Sequence, residues 1–486
     1  MNDAPDDATA TALPAQRWSA SERESFFAAI ARHRRAAWRV HAVSLTASAL
    51  VALIVALLLA PVFYAALALL CDLANLIVPT INLVEVLGEY LGPIYDAPER
   101  AAAWLWLSLG CWAALPGMLF VAGILFVMRR AVLLSGLLDG ETFTTVPPDG
   151  LNLREQRFRN VVTEMSIAAG IAEPRVLIAE WGSHNAAVFG ADDGRPVIVV
   201  SRLGVESLDR AQLQAVIAHL VGSIANGDMA IGVRVTTTTG LFNVIARLGT
   251  AFTQRASLLR LTRAFVSATF RPTPAAARAF IDEVADPFRA EPAPVQNTAT
   301  VSERVDWRTF AWMPFAGPIF ATGFFGGIIS MFALEPLVSL AWRRRKYLAD
   351  ATAVRLTREP NALSDALQHL GGGDGHTPLG AWGAHLCVVR PAVRSGGLFG
   401  GSVVPAFPAL PRRLRALARL GASDAPAPHS IPIGKIVIIA PLLLIVGVLV
   451  AMVLGLLVWL SIALSAMFLG LPFGALHLLL RALGHG

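Results

Sequence analysis

The sequence predicts a multi-pass α-helical membrane protein that carries a mainly α domain with a small β-sheet. Three observations point there. The first is composition: 55% of the 486 residues are hydrophobic, and the mean hydropathy is +0.58, above the roughly 45–50% apolar content of soluble domains. The second is that the excess lies in long uncharged runs, not in an even scatter. The third is a stretch, residues 150–228, that alternates helical and strand periodicities as an ordinary folded domain does.

The runs come first. Residues 1–40 are polar and rich in arginine, and read as a cytosolic N-terminal segment. No cleavable leader is evident, because the apolar run starts too late and runs too long. Residues 42–70 are long enough to span a bilayer at about 1.5 Å per residue. An acidic stretch with Asp72, Glu85, Glu89, Asp96 and Glu99 follows, then a second run over 103–128 closed by Arg129 and Arg130. Basic residues before the first run and after the second predict that both ends face the cytosol. Residues 41–130 therefore read as two spans with an extracytosolic loop.

Later runs are less decisive. Residues 309–341 are apolar but interrupted by Pro314, Pro318 and Pro336, and 229–253 is weaker still. Between them 254–306 is Arg-, Pro- and Ala-rich, and 286–300 reads as a flexible linker. The block 229–341 is a membrane-associated or spanning insertion, and the residues leave its number of crossings open. Residues 431–486 hold one long span or a two-span hairpin bent at Gly470–Pro472–Gly474. The parts between, 131–228 and 342–430, read as two halves of one cytosolic domain.

Charge and cysteine usage exclude several classes. The net charge is +6 and almost wholly arginine; Lys346 and Lys435 are the two lysines. These cations flank apolar runs, so they serve membrane orientation, and no nucleic-acid partner is expected. Cys71, Cys111 and Cys387 are far apart without a CxxC pair, which argues against a disulfide framework or a thiolate zinc site.

Within the folded stretch, Arg154–Ala169 is an amphipathic helix with Phe158, Val161, Val162 and Met165 at helical spacing, stopped by Gly170. PRVLIA (174–179) and VIVV (197–200) are short strands on either side of NAAVFG (185–190). Ser207–Asn226 is a second helix, begun by a capping box of Asp209 and Gln212, with Leu213, Val216, Leu220 and Ile224 on one stripe. Asn226–Gly227–Asp228 reads as its stop, and Asp192–Asp193–Gly194 as a hairpin turn.

These segments resemble the HtpX-type membrane metallopeptidases, relatives of the CAAX prenyl proteases. The resemblance rests on RFRNVVTEMSIAAGI, PRVLI, NAAVFG, LDRAQLQAVIAHLVGSIANGDM and RRRKYLADATAVRLTREPNALSDALQHL, in that order between apolar runs. It implies a zincin-like (gluzincin) domain. It also implies a zinc site of three protein ligands, with H-E-x-x-H on the second helix and a glutamate from a later E-x-x-x-D.

Position by position, this chain departs from that pattern. His219 matches the first histidine. Leu220 stands at the general base, Ser223 at the second histidine and Lys346 at the glutamate ligand. Asp350 matches the family aspartate, and a further family histidine falls at Phe407. One imidazole does not make a zinc site. A serine hydroxyl is a poor zinc ligand, and a protonated lysine has no lone pair to offer. Leucine moves no proton, and loss of a general base alone costs about 10²–10⁴ in rate. No metal and no cofactor is therefore expected, with His219 the sole retained ligand position. Lys346 and Asp350, four apart on a predicted helix, are expected to pair, with the ammonium standing in for the ion. A Ser223–Lys346 hydrolytic dyad is a weaker option. His184 is either exposed or a displaced ligand; His369, His376 and His385 surround a Gly-rich turn at spacings that match no zinc motif.

The expected function is a membrane-bound, catalytically inactive member of the family. In the resembling enzymes substrate lies along an edge strand, here Asn185, Ala186, Ala187, Val188 and Phe189. Through it the chain would bind peptides or unfolded membrane proteins in quality control. The expected partners are the lipid bilayer and such chains, and the expected location is a bacterial inner membrane, multi-pass, with the main domain in the cytosol. An active zinc metalloendopeptidase with rearranged ligands is the alternative, and a purely structural membrane protein the second alternative.

Overall fold

The computed structural model of the chain describes residues 24–96, 103–135, 145–190, 195–251, 255–284, 335–371, 386–390, 407–423, 475–476, 478–480 and 482. Several expectations lie outside these residues: the turn at Asp192–Gly194, the linker 286–300, most of the run 309–341, His376 and His385, and nearly all of 431–486.

The first helix, α1 (Phe26–Asn75), runs unbroken for 50 residues from a Ser25 cap, whose hydroxyl accepts from the Ala28 amide. It contains the expected span 42–70. The Arg-rich stretch before it is no separate segment: residues 26–40 form the first turns of the same helix. A short helix, α2 (Leu83–Asp96), leads to α3 (Ala103–Leu134), which holds the second expected span. The two long helices cross closely at Gly117, where a Cβ would fall on the Ala56 backbone. Small residues at such a crossing let the backbones meet.

The folded domain starts at β1 (Thr145–Val146) and α4 (Leu153–Ala169). The α4 helix is capped by Asn152 and ended by Gly170, whose φ of 68° is the left-handed conformation expected of it. Strands β2 (Arg175–Ala179), β3 (Ala186–Phe189) and β4 (Val197–Ser201) follow. The sheet order is β1-β2-β4-β3, with β2 and β4 parallel and the outer pairs antiparallel. Alternate residues divide between its faces. Ile178, Val188, Ile198 and Val200 join the main core, while Leu177, Ala187, Phe189, Val197 and Val199 join a second cluster with Trp181, Leu386, Cys387 and Phe407.

A short helix, α5 (Arg202–Ser207), precedes α6 (Arg210–Ala225), so Ser207 ends one helix instead of opening the next. The capping box of Asp209 and Gln212 forms with both reciprocal hydrogen bonds. Leu213, Val216 and Leu220 of α6 lie in the main core with Phe158, Val161 and Val162 of α4. Gly227, with φ 75°, turns the chain into α7 (Asp228–Ala251).

The Arg-rich piece after α7 is helical where described. It forms α8 (Arg255–Phe270) and α9 (Pro274–Val284). Phe280 and Ile281 of α9 and Leu261 of α8 pack with Ile124 and Met128 of α3 and Phe242 of α7. Composition alone did not reveal these helices, because arginine spacing conceals an apolar stripe on the opposite helix face. Among the described residues two helical stretches are long and apolar enough to cross a membrane, Gly117–Leu134 and Asp228–Leu248. The second is largely buried within the protein.

Three more helices complete the domain: α10 (Glu335–Thr357), α11 (Pro360–Gly371) and α12 (Leu410–Arg419). The α10 helix packs on both α6 and α1 and so joins the domain to the long first helix. It meets α6 at Gly222, where a Cβ would stand 3.0 Å from Thr352 Cγ2 and 3.1 Å from its Cβ. Gly222→Val should therefore force the two helices apart and cost about 1–3 kcal/mol, as overpacking does. Gly123, around which nothing lies within 4 Å, should accept alanine without loss. Chemical unfolding of both variants in detergent checks the contrast.

Candidate functional site

The expected site residues do converge, on α6 and α10. The rise of the helix puts His219 and Ser223 one turn apart on α6, and Lys346 and Asp350 one turn apart on α10. All four are buried, with His219 at 0% and Asp350 at 2% exposure. Leu220 faces elsewhere. It belongs to the main hydrophobic core, so the position of a general base is used for packing.

Asp350 is the centre of the cluster. Its Oδ1 lies 2.8 Å from Nδ1 of His219. Arg413, from α12, holds it in a fork: Nε donates to Oδ2 at 2.9 Å and one terminal nitrogen donates to Oδ1 at 2.6 Å. The other terminal nitrogen donates to the Val388 carbonyl at 2.6 Å. Although burial alone would raise it, Arg413 and His219 hold the Asp350 carboxyl well below the usual carboxylate range. A carboxylate only accepts, so the imidazole proton sits on Nδ1 and Nε2 keeps its lone pair. Burial, opposed in part by Asp350, pushes the imidazole down to about 4. Both ring nitrogens are buried; Nδ1 approaches Asp350 without a well-aligned hydrogen bond, and Nε2 has no partner among the described residues. In metal sites a carboxylate orients a ligand histidine in just this manner.

Lys346 does not pair with Asp350, contrary to expectation. Arg413 and His219 occupy that carboxylate, and the lysine ammonium donates to the Cys387 carbonyl instead. Its Nζ also stands 5.4 Å from the centre of the Phe407 ring, a cation–π distance. Burial first, and then the nearby Arg413 charge, push it down to about 8. Ser223 is buried near Asp228, where its hydroxyl opposes the upward push of burial on that carboxyl. Asp228 forms a buried ion pair with Arg345. A Ser223–Lys346 dyad is therefore not assembled. Asn226 completes the joint by donating to Thr352 at 3.0 Å.

The edge strand needs a correction too. β3 does stand at the border of the four-stranded sheet, but its outer edge is not open. Ala187 bridges Cys387 in antiparallel fashion, and the Val388 amide donates to the Ala186 carbonyl at 2.8 Å. The Asn185 side chain clamps Val389 from both sides, donating to its carbonyl at 3.1 Å and accepting from its amide at 3.3 Å. Lys346 and Arg413 hold the carbonyls of Cys387 and Val388. Residues 387 and 388 thus cover this edge at Ala186 and Ala187, and a peptide that paired there would displace them. Sequence reasoning missed this because so short a segment far along the chain carries no local signal of its partner. Arg413 and Arg345 were missed because each stands among several arginines; their sole signal was placement on helices that must also bury a face.

The donor set does not suit zinc. Nε2 of His219 is available, but Ser223, one turn on, offers a neutral hydroxyl, and Lys346 an ammonium bound to a carbonyl. Phe407, buried beside Lys346, offers a ring and no donor atom. His184, half-buried, meets His369 edge-to-face with ring centres 5.4 Å apart. Among the described residues no three His, Cys, Asp or Glu side chains group as a metal site would require.

Two outcomes follow from this geometry. Asp350→Asn leaves the Arg413 guanidinium buried without its counter-charge and should cost about 3–5 kcal/mol in unfolding experiments. The pH dependence has a definite sign. His219 has a folded value near 4 against an ordinary 6.5, so the unfolded chain takes up the extra proton between those values. Its contribution is complete above about 6.5 and is lost as pH falls toward 4, at no more than about 1.4 kcal/mol per pH unit. A His219→Asn variant should show a shallower decline over that window, measured by denaturant titration at successive pH values.

Comparison with known proteins agrees with the architecture. The profile of Peptidase family M48 matches residues 152–284. A protein named protease HtpX homolog, from Dictyoglomus thermophilum, is 29% identical over 211 residues, covering 43% of this chain and 52% of that protein. Another of the same name, from Listeria monocytogenes serotype 4b, is 29% identical over 213 residues, 44% of this chain and 57% of its own. A third, from Chlorobium phaeobacteroides, is 40% identical over 78 residues, 16% of this chain and 26% of its own. The chain thus spans about half the length of the first two relatives. No solved structure matches it. Residues 152–284 are thus similar to peptidase family M48, and the relatives that align with 43–44% of the chain carry the name protease HtpX homolog.

Proposed function

We propose that the chain is a membrane-associated pseudopeptidase, a member of its family that keeps the scaffold without the hydrolytic centre. The observation behind this reading is the hydrogen bond that ties the Lys346 ammonium to the Cys387 carbonyl. Lys346 and Ser223 stand where ligands belong, and neither an engaged ammonium nor a neutral hydroxyl is a zinc ligand of the kind such a site needs. With Leu220 in the core, no carboxylate remains beside His219 to take a proton from water. The role left to such a scaffold is binding, and its object is a peptide or an unfolded membrane protein in quality control. With the β3 edge covered by residues 387 and 388, that binding uses another surface or displaces those residues. Spans on both sides of the domain, a multi-pass arrangement and a cytosolic face for the site belong to the same proposal.

The second reading, an active zinc metalloendopeptidase with rearranged ligands, has one observation in its favour. Nε2 of His219 is buried, oriented and unpartnered among the described residues. One experiment separates the two: metal content by mass spectrometry, and cleavage of an unfolded test protein, for the detergent-purified chain and for His219→Ala. The expected result is substoichiometric zinc in both and no cleavage that a chelator abolishes. Near-stoichiometric zinc that disappears in His219→Ala would return the chain to the peptidases.

A further inference from the structure

A second site lies away from the His219 cluster, where α1, α7 and α10 come together. An open-sided cleft of about 90 Å³ separates them there. It is lined from α1 by Arg34, Trp38 and His41, which the helix repeat places on one face. Ile231 and Val235 of α7 form its apolar wall, and the buried Trp342 of α10 its back. Arg345 borders it but is already tied to Asp228.

Two features of the cleft ask for a ligand with two natures. Its α1 wall holds the Arg34 guanidinium, which has no carboxylate partner among the described residues, and, two turns further on, the buried Nε2 of His41, which has no hydrogen-bond partner there either. The rest of the lining is hydrocarbon and indole. A phosphodiester offers acceptor oxygens and one negative charge, which suit the α1 wall; an attached acyl chain suits the apolar wall. Free phosphate would satisfy only half of this surface.

Charge selects the class further. The three stretches that supply the lining, 34–41, 231–235 and 341–345, contain no Asp or Glu, and Arg34 and Arg345 are the arginines that line the cleft itself. The cleft also lies where α1 passes from its arginines into its uncharged run, and Trp38, 71% exposed, stands at that border. Tryptophan and arginine at such a border mark the level of lipid headgroups, and basic pockets between helices at that level take anionic lipids. We propose that this cleft is a binding site for an anionic phospholipid, with its headgroup along Arg34 and His41 and an acyl chain along α7 and Trp342. The site is independent of whether the His219 cluster hydrolyses anything.

The test uses the full chain, delipidated in detergent and placed in nanodiscs of phosphatidylcholine with or without phosphatidylglycerol. Native mass spectrometry should find one phosphatidylglycerol per chain retained at a collision energy that strips phosphatidylcholine. Arg34→Gln, which alters an exposed side chain and should not disturb folding, should lower the retained fraction about tenfold, and Arg34→Gln with His41→Leu should lower it further. Arg39→Gln, outside the cleft, should retain the lipid as the parent does, and added inorganic phosphate should not displace it. The proposal fails if phosphatidylcholine is held equally, if inorganic phosphate competes, if Arg34→Gln keeps the lipid, or if Arg39→Gln loses as much as Arg34→Gln.

Discussion

The buried carboxylate of Asp350 is the interaction on which the domain depends. One side chain joins four parts of the chain: α10, which carries it; α6, through His219; α12, through Arg413; and the segment at Val388, through the same guanidinium. A charge taken out of water is costly unless its partners are close and well oriented. Here the fork of Arg413 and the imidazole N–H supply them. Remove the aspartate and the arginine is stranded, and with it the anchor of a segment that covers the sheet edge. The same carboxylate also fixes which nitrogen of His219 carries its proton.

Around that centre the charges are in local excess. Two buried carboxylates, Asp228 and Asp350, face three buried cations, Arg345, Lys346 and Arg413. The arginines take the carboxylates. The lysine is left with a carbonyl dipole and an aromatic face, which stabilise an ammonium only partly in a medium of low polarity. This is why its proton is loosely held. A divalent ion placed in the same cavity would add repulsion to a site that already carries surplus positive charge. The residues at the ligand positions and the charge balance around them are thus consistent with each other.

Much of this was legible in the sequence, for reasons tied to particular residues. Helix periodicity and caps declared α4 and α6, because Asn152, Gly170 and the Asp209–Gln212 pair act within a few residues of the backbone they satisfy. The family motif placed His219, Ser223, Lys346 and Asp350 together. What it did not reveal was which of them bond to one another. Spacing allowed Lys346 to reach Asp350, but Arg413, 63 residues further on, reaches it better. Likewise β3 was recognisable as a strand, while the segment that covers it lies some 200 residues away. Local signals encode elements; competition among distant partners decides their contacts. The helices α8 and α9 were obscured for a related reason, since arginine-rich composition was given more weight than the apolar stripe beneath it.

The unbroken course of α1 has a mechanical side. At about 1.5 Å per residue, 50 residues make a rod some 75 Å long. Near one end His33 stacks on Tyr347, ring centres 5.4 Å apart, next to Lys346 on α10; further along, Ala56 is pressed against Gly117 at the α3 crossing. A rod gripped at two points acts as a lever. With the α3 crossing as fulcrum, any tilt of one arm would be carried along the rod to the helix that bears Lys346 and Asp350, so that a displacement far from the domain is felt as torque at a cluster of buried charges.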